Sequence, residues 1–287
     1  MKVITLLPEL RAARELLPEP VGLVPTMGAL HLAHLSLVRQ AQAQCASVVV
    51  SIFVNPSQFG PAEDLDSYPR PLESDLEMLA DAGVDLVWTP TVDVMYPPQF
   101  QTWIEVENLT NPLEGAHRPG HFRGVTTVVA KLFIAVLPQR AYFGQKDAQQ
   151  VAVLRQMARD LNMPLQIAVC PIVREADGLA MSSRNAHLNP AERTAAAVLN
   201  RALTRAGDAY AGGETGAEQL RRLMAEAING EPLARLQYVS CAHPDTLAEL
   251  DGPVAGALLS MAVFIGKTRL IDNRLIGEHG WVVESVE

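Results

Sequence analysis

Two histidines three residues apart follow a short apolar run near the start of the chain. His31 and His34 come after a predicted strand at residues 21–24 and stand at the beginning of a predicted helix at residues 32–44. Residues three apart share one face of a helix. The first turn of a helix offers free N–H groups and the positive end of its dipole, so two imidazoles there favour contact with a phosphate. The alternatives are structural histidines or a zinc site, and no third zinc ligand stands at suitable spacing nearby.

Two neutral amides follow the next apolar run. Residues 47–54 (SVVVSIFV) are typical of a strand buried on both faces. Asn55 and Gln58 come directly after it and offer donors and acceptors that can orient a small hydroxy-acid substrate. An ordinary turn is the alternative for this segment.

A glycine and three polar residues follow a short strand predicted at residues 141–143. Gly144 allows close approach of a ligand to the backbone, and Lys146 brings a point charge toward a phosphate. Asp147 either caps the next helix or accepts hydrogen bonds from ribose hydroxyls. Gln150 lies on the same helical face as Lys146 or Asp147.

Two further loops carry groups that bind anions. Ser182, Ser183 and Arg184 combine two hydroxyls with a guanidinium, which suits a phosphate, although an ordinary polar linker is the alternative. Residues 114–124 contain two histidines and two arginines in a Gly- and Pro-containing loop. We expect a lid or a substrate clamp in that loop, and composition assigns no role to its individual residues.

The elements that must position these groups alternate between strands and helices. The patterns predict strands at 21–24, 47–54, 84–88, 141–143 and 165–169, and helices at 32–44, 72–82, 124–137 and 147–161. This order predicts an α/β fold with a parallel sheet and helices on both faces. Two helices and three clustered strands follow and predict a small α+β C-terminal domain. We place the two domains at residues 1–178 and 179–287.

Composition excludes several classes of protein. The 287 residues include 23 Lys and Arg against 32 Asp and Glu, and the net charge of −9 disfavours a nucleic-acid partner. The apolar runs are too short for a membrane helix, and the N-terminus lacks the pattern of a signal peptide, so we expect a cytoplasmic protein with no membrane partner. The phosphate-binding patterns GxxxxGK[ST] and GxGxxG are both missing.

Six segments together resemble the pantothenate synthetase (pantoate–β-alanine ligase) family of the HxGH nucleotidyltransferase superfamily. They are PTMGALHLAH (25–34), SIFVNPSQFG (51–60), DLDSYPR (64–70), GHFRGVTTVVAKLF (120–133), YFGQKDAQQ (142–150) and PIVREADGLAMSSRN (171–185). The resemblance implies a Rossmann-like N-terminal domain that binds nucleotide and pantoate, and a C-terminal domain that closes over the ATP site. It also implies a homodimer formed through the N-terminal domain.

The same resemblance implies the reaction. Family members use ATP and Mg²⁺ to condense pantoate with β-alanine, and they release AMP and pyrophosphate. Pantoate first attacks the α-phosphorus of ATP, and the amine of β-alanine then attacks the acyl adenylate. Catalysis of this kind depends on positioning and charge stabilisation without a covalent enzyme intermediate.

Site residues follow from the resemblance position by position. Catalytic contacts with the phosphates are implied for His31, His34, Lys146, Ser182, Ser183 and Arg184. ATP binding is implied for Met27, His34, Gly144, Lys146, Asp147, Val173, Met181, Ser182, Ser183 and Arg184. Gln58 and Gln150 are implied to bind pantoate, and Asp75 to hold Mg²⁺ or its water shell.

One position departs from the family pattern. Ala33 stands where the HxGH motif has glycine, and Leu32 stands where the family usually has glutamate. An added methyl group in a tight site costs about 1–3 kcal/mol when the site cannot relax. The alternative function is therefore an ATP-binding homologue of reduced or altered activity.

Overall fold

The apolar runs of the first part of the chain form one six-stranded parallel sheet. The protein is described by a computed structural model, which covers residues 1–61, 63–281 and 283–284. The strands are β1 (Lys2–Ile4), β2 (Val21–Thr26), β3 (Ser47–Ile52), β4 (Leu86–Trp88), β5 (Arg140–Gly144) and β6 (Gln166–Cys170). They lie in the order β1-β4-β3-β2-β5-β6, with every pairing parallel.

Helices cover both faces of this sheet. They are α1 (Leu7–Arg14), α2 (Leu32–Gln44), α3 (Leu72–Asp81), α4 (Val92–Met95), α5 (Glu114–His117), α6 (His121–Val136) and α7 (Ala148–Asp160). Buried residues of α1, α6 and α7 form one apolar core, and those of α2 and α3 form another on the opposite face. Successive residues of β3 alternate between these cores, because side chains along a strand point to opposite faces. The α/β fold expected from the sequence is confirmed.

The last part of the chain has a core of its own. It contains α8 (Pro190–Ala196), α9 (Val198–Ala211), α10 (Ala217–Asn229) and the strands β7 (Ala234–Ala242), β8 (Gly256–Ile265) and β9 (Thr268–Gly277). The three strands form an antiparallel sheet in sequence order. This arrangement confirms the small α+β unit, while the boundary between residues 178 and 179 stays a prediction.

The sequence patterns missed β1, α1 and the four-residue helices α4 and α5, and they placed the start of α6 too late. The segment 114–124, expected to be a loop, contains α5 and the first residues of α6. β1 and α1 were not predicted, because three residues show no periodicity and α1 has no side-chain N-cap. α6 begins at His121, three residues before the predicted start, after Gly120 adopts a left-handed conformation with φ of 81°. These differences arise where short segments depend on tertiary contacts.

A close approach of two backbones fixes the turn that carries Gln58. Gly124 of α6 lies against this turn, and a Cβ at this glycine would lie 2.7 Å from the Gln58 nitrogen and closer still to the Ser57 carbonyl oxygen. The Asn55 amide also donates to the Gly124 carbonyl oxygen at 3.2 Å. The position of Gln58 therefore depends on a glycine at position 124 of α6.

We expect Gly124→Ala to lower the free energy of unfolding. Overpacking a rigid contact costs about 1–3 kcal/mol, and the better helix propensity of alanine offsets up to about 1 kcal/mol. Urea denaturation of both proteins measures the difference. Gly60→Ala is the matched control, because the nearest atoms to a Cβ there lie 3.7 Å away on the Glu63 side chain. Equal stability of the two variants would contradict the proposed steric contact.

Candidate active site

The carboxyl ends of β2, β3, β5 and β6 surround one cavity of about 250 Å³. This is the edge at which open parallel sheets bind ligands. With the exception of Asp75, every site residue named from the sequence lines this cavity: Met27, His31, His34, Gln58, Gly144, Lys146, Asp147, Gln150, Val173, Met181, Ser182, Ser183 and Arg184. The structure therefore brings together groups from five separate stretches of the sequence.

The turn before α2 is held by a buried carboxylate. Gly28 and Ala29 both have positive φ, at 79° and 50°. The two oxygens of Asp75 accept the backbone N–H groups of Ala29 and Leu30, each at 2.8 Å, and Asp75 is only 1% exposed. Asp75 thus fixes the backbone that leads to His31, and its side chain does not line the cavity. Its expected role as a magnesium ligand stays a prediction.

The two histidines at this turn are packed against each other. Their ring centroids are 4.1 Å apart, and Nδ1 of His34 accepts the backbone N–H of His31 at 3.3 Å. Burial, with smaller contributions from His31 and Lys146, lowers the pKa of His34 to about 3. Burial also lowers the pKa of His31. Both imidazoles are therefore neutral at pH 7, and the accepting Nδ1 of His34 places its proton on Nε2.

Gln58 is oriented by a network that lies under it. Asn55 is 1% exposed and donates from its amide to Oε1 of Gln58 at 2.9 Å. Oδ1 of Asn55 accepts the hydroxyls of Ser57 and Tyr96, both at 2.8 Å. Asn55 thus positions Gln58, whose Nε2 has only the weakly accepting Met27 sulfur at 3.3 Å as a partner among the described residues.

Arg118 and His121 also line the cavity, and sequence reasoning gave them no role. His121 Nδ1 lies 2.8 Å from the Gln58 carbonyl oxygen, and its Nε2 lies 3.0 Å from Nη1 of Arg118. Burial and the neighbouring guanidinium lower the pKa of His121 to about 4. The neutral ring then donates to the carbonyl oxygen and accepts from the arginine. The cationic segment at 114–124 was the signal, but its local sequence could not show which side chains face the cavity.

The turn that carries Lys146 is held by the antiparallel sheet. Asn273 of β9 donates to the carbonyl oxygens of Gln145 and Lys146 at 3.0 and 2.8 Å. Lys146 has no carboxylate within ion-pair distance among the residues that the structure describes. Its charge is therefore available to an anion in the cavity.

The segment with the two serines closes another side of the cavity. Ser182 Oγ accepts the backbone N–H of Arg184 at 3.3 Å, and Met181 N–H donates to the Val173 carbonyl oxygen at 3.0 Å. The Arg184 guanidinium forms two hydrogen bonds with the Asp64 carboxylate, both of 2.9 Å. The segment thus presents a guanidinium that is fixed in orientation.

The described residues do not form a metal cage. No group of three or more His, Cys, Asp or Glu side chains in that part of the chain is arranged to hold a metal ion. Asp147 is the one carboxylate among the cavity-lining residues that the structure describes. Mg²⁺ is usually bound by one or two carboxylates together with the phosphates of its substrate.

Fold and site together define an α/β enzyme whose cleft suits a substrate that carries phosphate groups. A sequence model of the pantoate–beta-alanine ligase family matches residues 2–275. The chain is 58% identical over 274 residues to pantothenate synthetase of Herpetosiphon aurantiacus, an alignment that spans 95% of this chain and 99% of the relative. The chain belongs to the pantoate–beta-alanine ligase family.

Solved structures agree with this assignment. Pantothenate synthetase from Thermus thermophilus has a TM-score of 0.92 at 48% identity and covers 97% of this chain and 100% of its own. Pantoate-beta-alanine ligase from Francisella tularensis, crystallised with beta-gamma ATP and beta-alanine, has a TM-score of 0.80 at 35% identity, covering 96% and 97%. These likenesses do not favour the alternative of an impaired homologue, although Ala33 does lie in the cavity wall.

No helix in the described part of the chain is long and apolar enough to cross a membrane.

The lowered histidine pKa values predict a loss of stability in acid. When the pH falls below about 6.5, the usual pKa of histidine, His34 takes up a proton in the unfolded chain. In the folded protein it stays neutral until the pH approaches its lowered pKa of about 3. The unfolded state then binds more protons, so the free energy of unfolding falls as the pH drops through this window, by at most about 1.4 kcal/mol per pH unit for one proton.

Urea denaturation between pH 7 and pH 4 tests this prediction. We expect a shallower pH dependence in His34→Gln than in the unsubstituted protein. His187→Gln, a substitution at an exposed residue outside the cavity, is the control. An imidazole nitrogen signal of His34 that titrates near pH 6.5 in NMR spectra of the folded protein would contradict the assignment.

Proposed function

We propose that this protein condenses pantoate with β-alanine at the cost of ATP and releases pantothenate, AMP and pyrophosphate. One observation carries the proposal: a chain of the pantoate–beta-alanine ligase family gathers His31, His34, Lys146 and Arg184 around one cavity. The ATP and beta-alanine in the Francisella tularensis ligase structure support the same substrates here.

The phosphate end of the cavity combines neutral donors with fixed charges. His34 is neutral and offers Nε2–H, and His31 Nδ1 is buried without a hydrogen-bond partner in the described part of the chain. Lys146 and Arg184 supply positive charge, and Ser182 and Ser183 supply hydroxyls. Donors placed where negative charge develops lower the barrier to phosphoryl-centre chemistry.

The remaining residues divide between the nucleotide and pantoate. Gly144 and Asp147 are proposed to hold the ribose, and the side chains of Met27, Val173 and Met181 to border the nucleotide. Gln58 and Gln150 are proposed to bind the hydroxyl and carboxylate oxygens of pantoate. The neighbouring Gln149 is different, since its buried amide is bonded to backbone groups of residues 109, 112 and 114.

The chemistry requires two displacements. A carboxylate oxygen of pantoate forms a bond to the α-phosphorus of ATP, and the bond to the bridging oxygen breaks, so that pyrophosphate leaves with the electron pair. The neutral amine of β-alanine then attacks the acyl carbon, AMP leaves, and the amine proton passes to solvent. The protein aligns the reacting atoms and stabilises the charge on phosphate throughout.

Three finer points stay predictions. Mg²⁺ is expected to enter with ATP as part of the substrate, since the described residues offer no cage for it. A homodimer through the N-terminal domain is supported by exposed apolar side chains there, including Val3, Leu6, Ile134 and Leu137. The expected location in the cytoplasm follows from the sequence alone.

Release of AMP from ATP tests the function directly. The purified protein is incubated with ATP, Mg²⁺, pantoate and β-alanine, and each component is left out in turn. AMP formation that needs both pantoate and β-alanine supports the ligase. Folded protein that makes no AMP from any combination would refute the proposal, and AMP formation with a different acid in place of pantoate would point to another adenylating activity.

We expect Lys146→Ala to lower the rate of adenylate formation by about 10²–10³-fold, the usual effect of losing one donor to a developing charge. The measurement is pantoate-dependent exchange of pyrophosphate into ATP, which isolates the first step. Lys267→Ala removes an exposed lysine in the turn between β8 and β9 and is the control. Near-normal exchange by Lys146→Ala would show that the phosphate role is wrong.

We expect Gln58→Ala to raise the KM for pantoate about three- to tenfold, the worth of one net hydrogen bond. The KM for β-alanine is expected to stay unchanged, because Gln58 is assigned to pantoate alone. Steady-state kinetics with each substrate varied in turn gives both constants. A raised KM for β-alanine with an unchanged KM for pantoate would reverse the assignment.

A further inference from the structure

Two carboxylates adjacent in sequence each bind one of the cavity's arginines. Glu63 and Asp64 lie in the turn region that follows Gln58. Glu63 accepts from Nε and Nη2 of Arg118 at 2.8 and 2.7 Å. Asp64 accepts from Nε and Nη2 of Arg184 at 2.9 Å in both bonds. Arg118 and Arg184 line the cavity, whereas the two carboxylates do not.

The geometry of the Asp64–Arg184 pair leaves one edge of the guanidinium open. A guanidinium carries five N–H groups in a rigid plane, and this pairing uses the Nε edge. Nη1 of Arg184 has no hydrogen-bond acceptor among the residues that the structure describes. For Arg118, the corresponding Nη1 is already 3.0 Å from His121. Of the two arginines, Arg184 therefore has an unused pair of donors.

The Asp64–Arg184 pair is also partly buried, which limits the movement of both side chains. The side chains of Arg184 and Asp64 are 32% and 26% exposed. Burial acts to raise the pKa of Asp64, but the hydrogen bonds and charge of Arg184 outweigh it and lower that pKa. The pKa of Arg184 is raised against the effect of its own burial. Both groups thus stay charged at pH 7, and a two-point contact between a planar cation and a carboxylate fixes rotation as well as distance.

We propose that Asp64 is a positioning residue, which holds Arg184 by its Nε edge and thereby presents the Nη1 edge to the polyphosphate of ATP. The proposal rests on the proposed phosphate role of Arg184. The contact joins residues that lie 120 positions apart in the sequence.

If Asp64 instead competed with ATP for Arg184, its removal would have the opposite effect on ATP binding. If the carboxylate occupied the place of a phosphate, its removal would free Arg184 and strengthen nucleotide binding. The structure argues against this, since Asp64 pairs with the Nε edge of Arg184 and does not line the cavity. The sign of the change in ATP affinity therefore separates positioning from competition.

Asp64→Asn tests the proposal in the full-length protein. We expect pantoate-dependent pyrophosphate exchange to fall about tenfold or more, because small errors in the position of a charged group cost up to about 10²-fold in rate. The KM for ATP should rise and the KM for pantoate should not change. Asp66→Asn is the matched control, because it removes the same charge from an exposed residue two positions along the turn. Thermal unfolding confirms that each variant is folded.

A double-variant cycle shows whether Asp64 acts through Arg184. We expect Asp64→Asn to have no further effect in an Arg184→Ala background. An equal loss in both backgrounds, a lower KM for ATP in Asp64→Asn, or identical behaviour of Asp64→Asn and Asp66→Asn would each overturn the proposal.

Equilibrium binding of ATP, measured by calorimetry, keeps this test separate from the proposed reaction. If the unsubstituted protein binds ATP but makes no AMP, the proposed function fails, and weaker ATP binding by Asp64→Asn and Arg184→Ala still supports the positioning role. If both variants bind ATP as tightly as the unsubstituted protein, the positioning role is wrong, even where the ligase activity is present.

Discussion

The backbone turn that leads to His31 depends on one buried carboxylate. Asp75 accepts the N–H groups of Ala29 and Leu30 and so stabilises a turn in which two consecutive residues have positive φ. A left-handed conformation is unfavourable at a residue with a Cβ, such as Ala29, and persists only when the surroundings hold it. Because this turn leads directly to His31, the position of both imidazoles is set by a side chain of α3 that does not enter the cavity.

The antiparallel sheet has an equally direct part in the site. Asn273 holds the two carbonyl oxygens of the Lys146 turn, and Asp272 forms a bidentate pair with Arg174, which precedes the Ser182 segment. Two adjacent residues of β9 therefore support both cationic segments of the cavity.

The sequence predicted the central strands and the cavity residues well, for a local physical reason. Strands buried on both faces are continuously apolar, and polar groups just after them gather at one sheet edge. The contacts that the sequence did not predict join residues far apart in the chain. Asp75 binds backbone 45 and 46 residues away, and Asp64 binds an arginine 120 residues away. Residues so far apart form no local sequence motif. The sequence around a carboxylate in a helix or turn therefore does not show which group it will bind.

The charges around the cavity explain how an acidic protein can bind a polyphosphate. The net charge of the chain is −9, yet Lys146, Arg118 and Arg184 all line the cavity. The carboxylates that pair with the two arginines do not line the cavity. The histidines contribute donors without charge, because burial keeps their pKa values low. A neutral imidazole beside Lys146 avoids repulsion between like charges and still offers an N–H group to a phosphate.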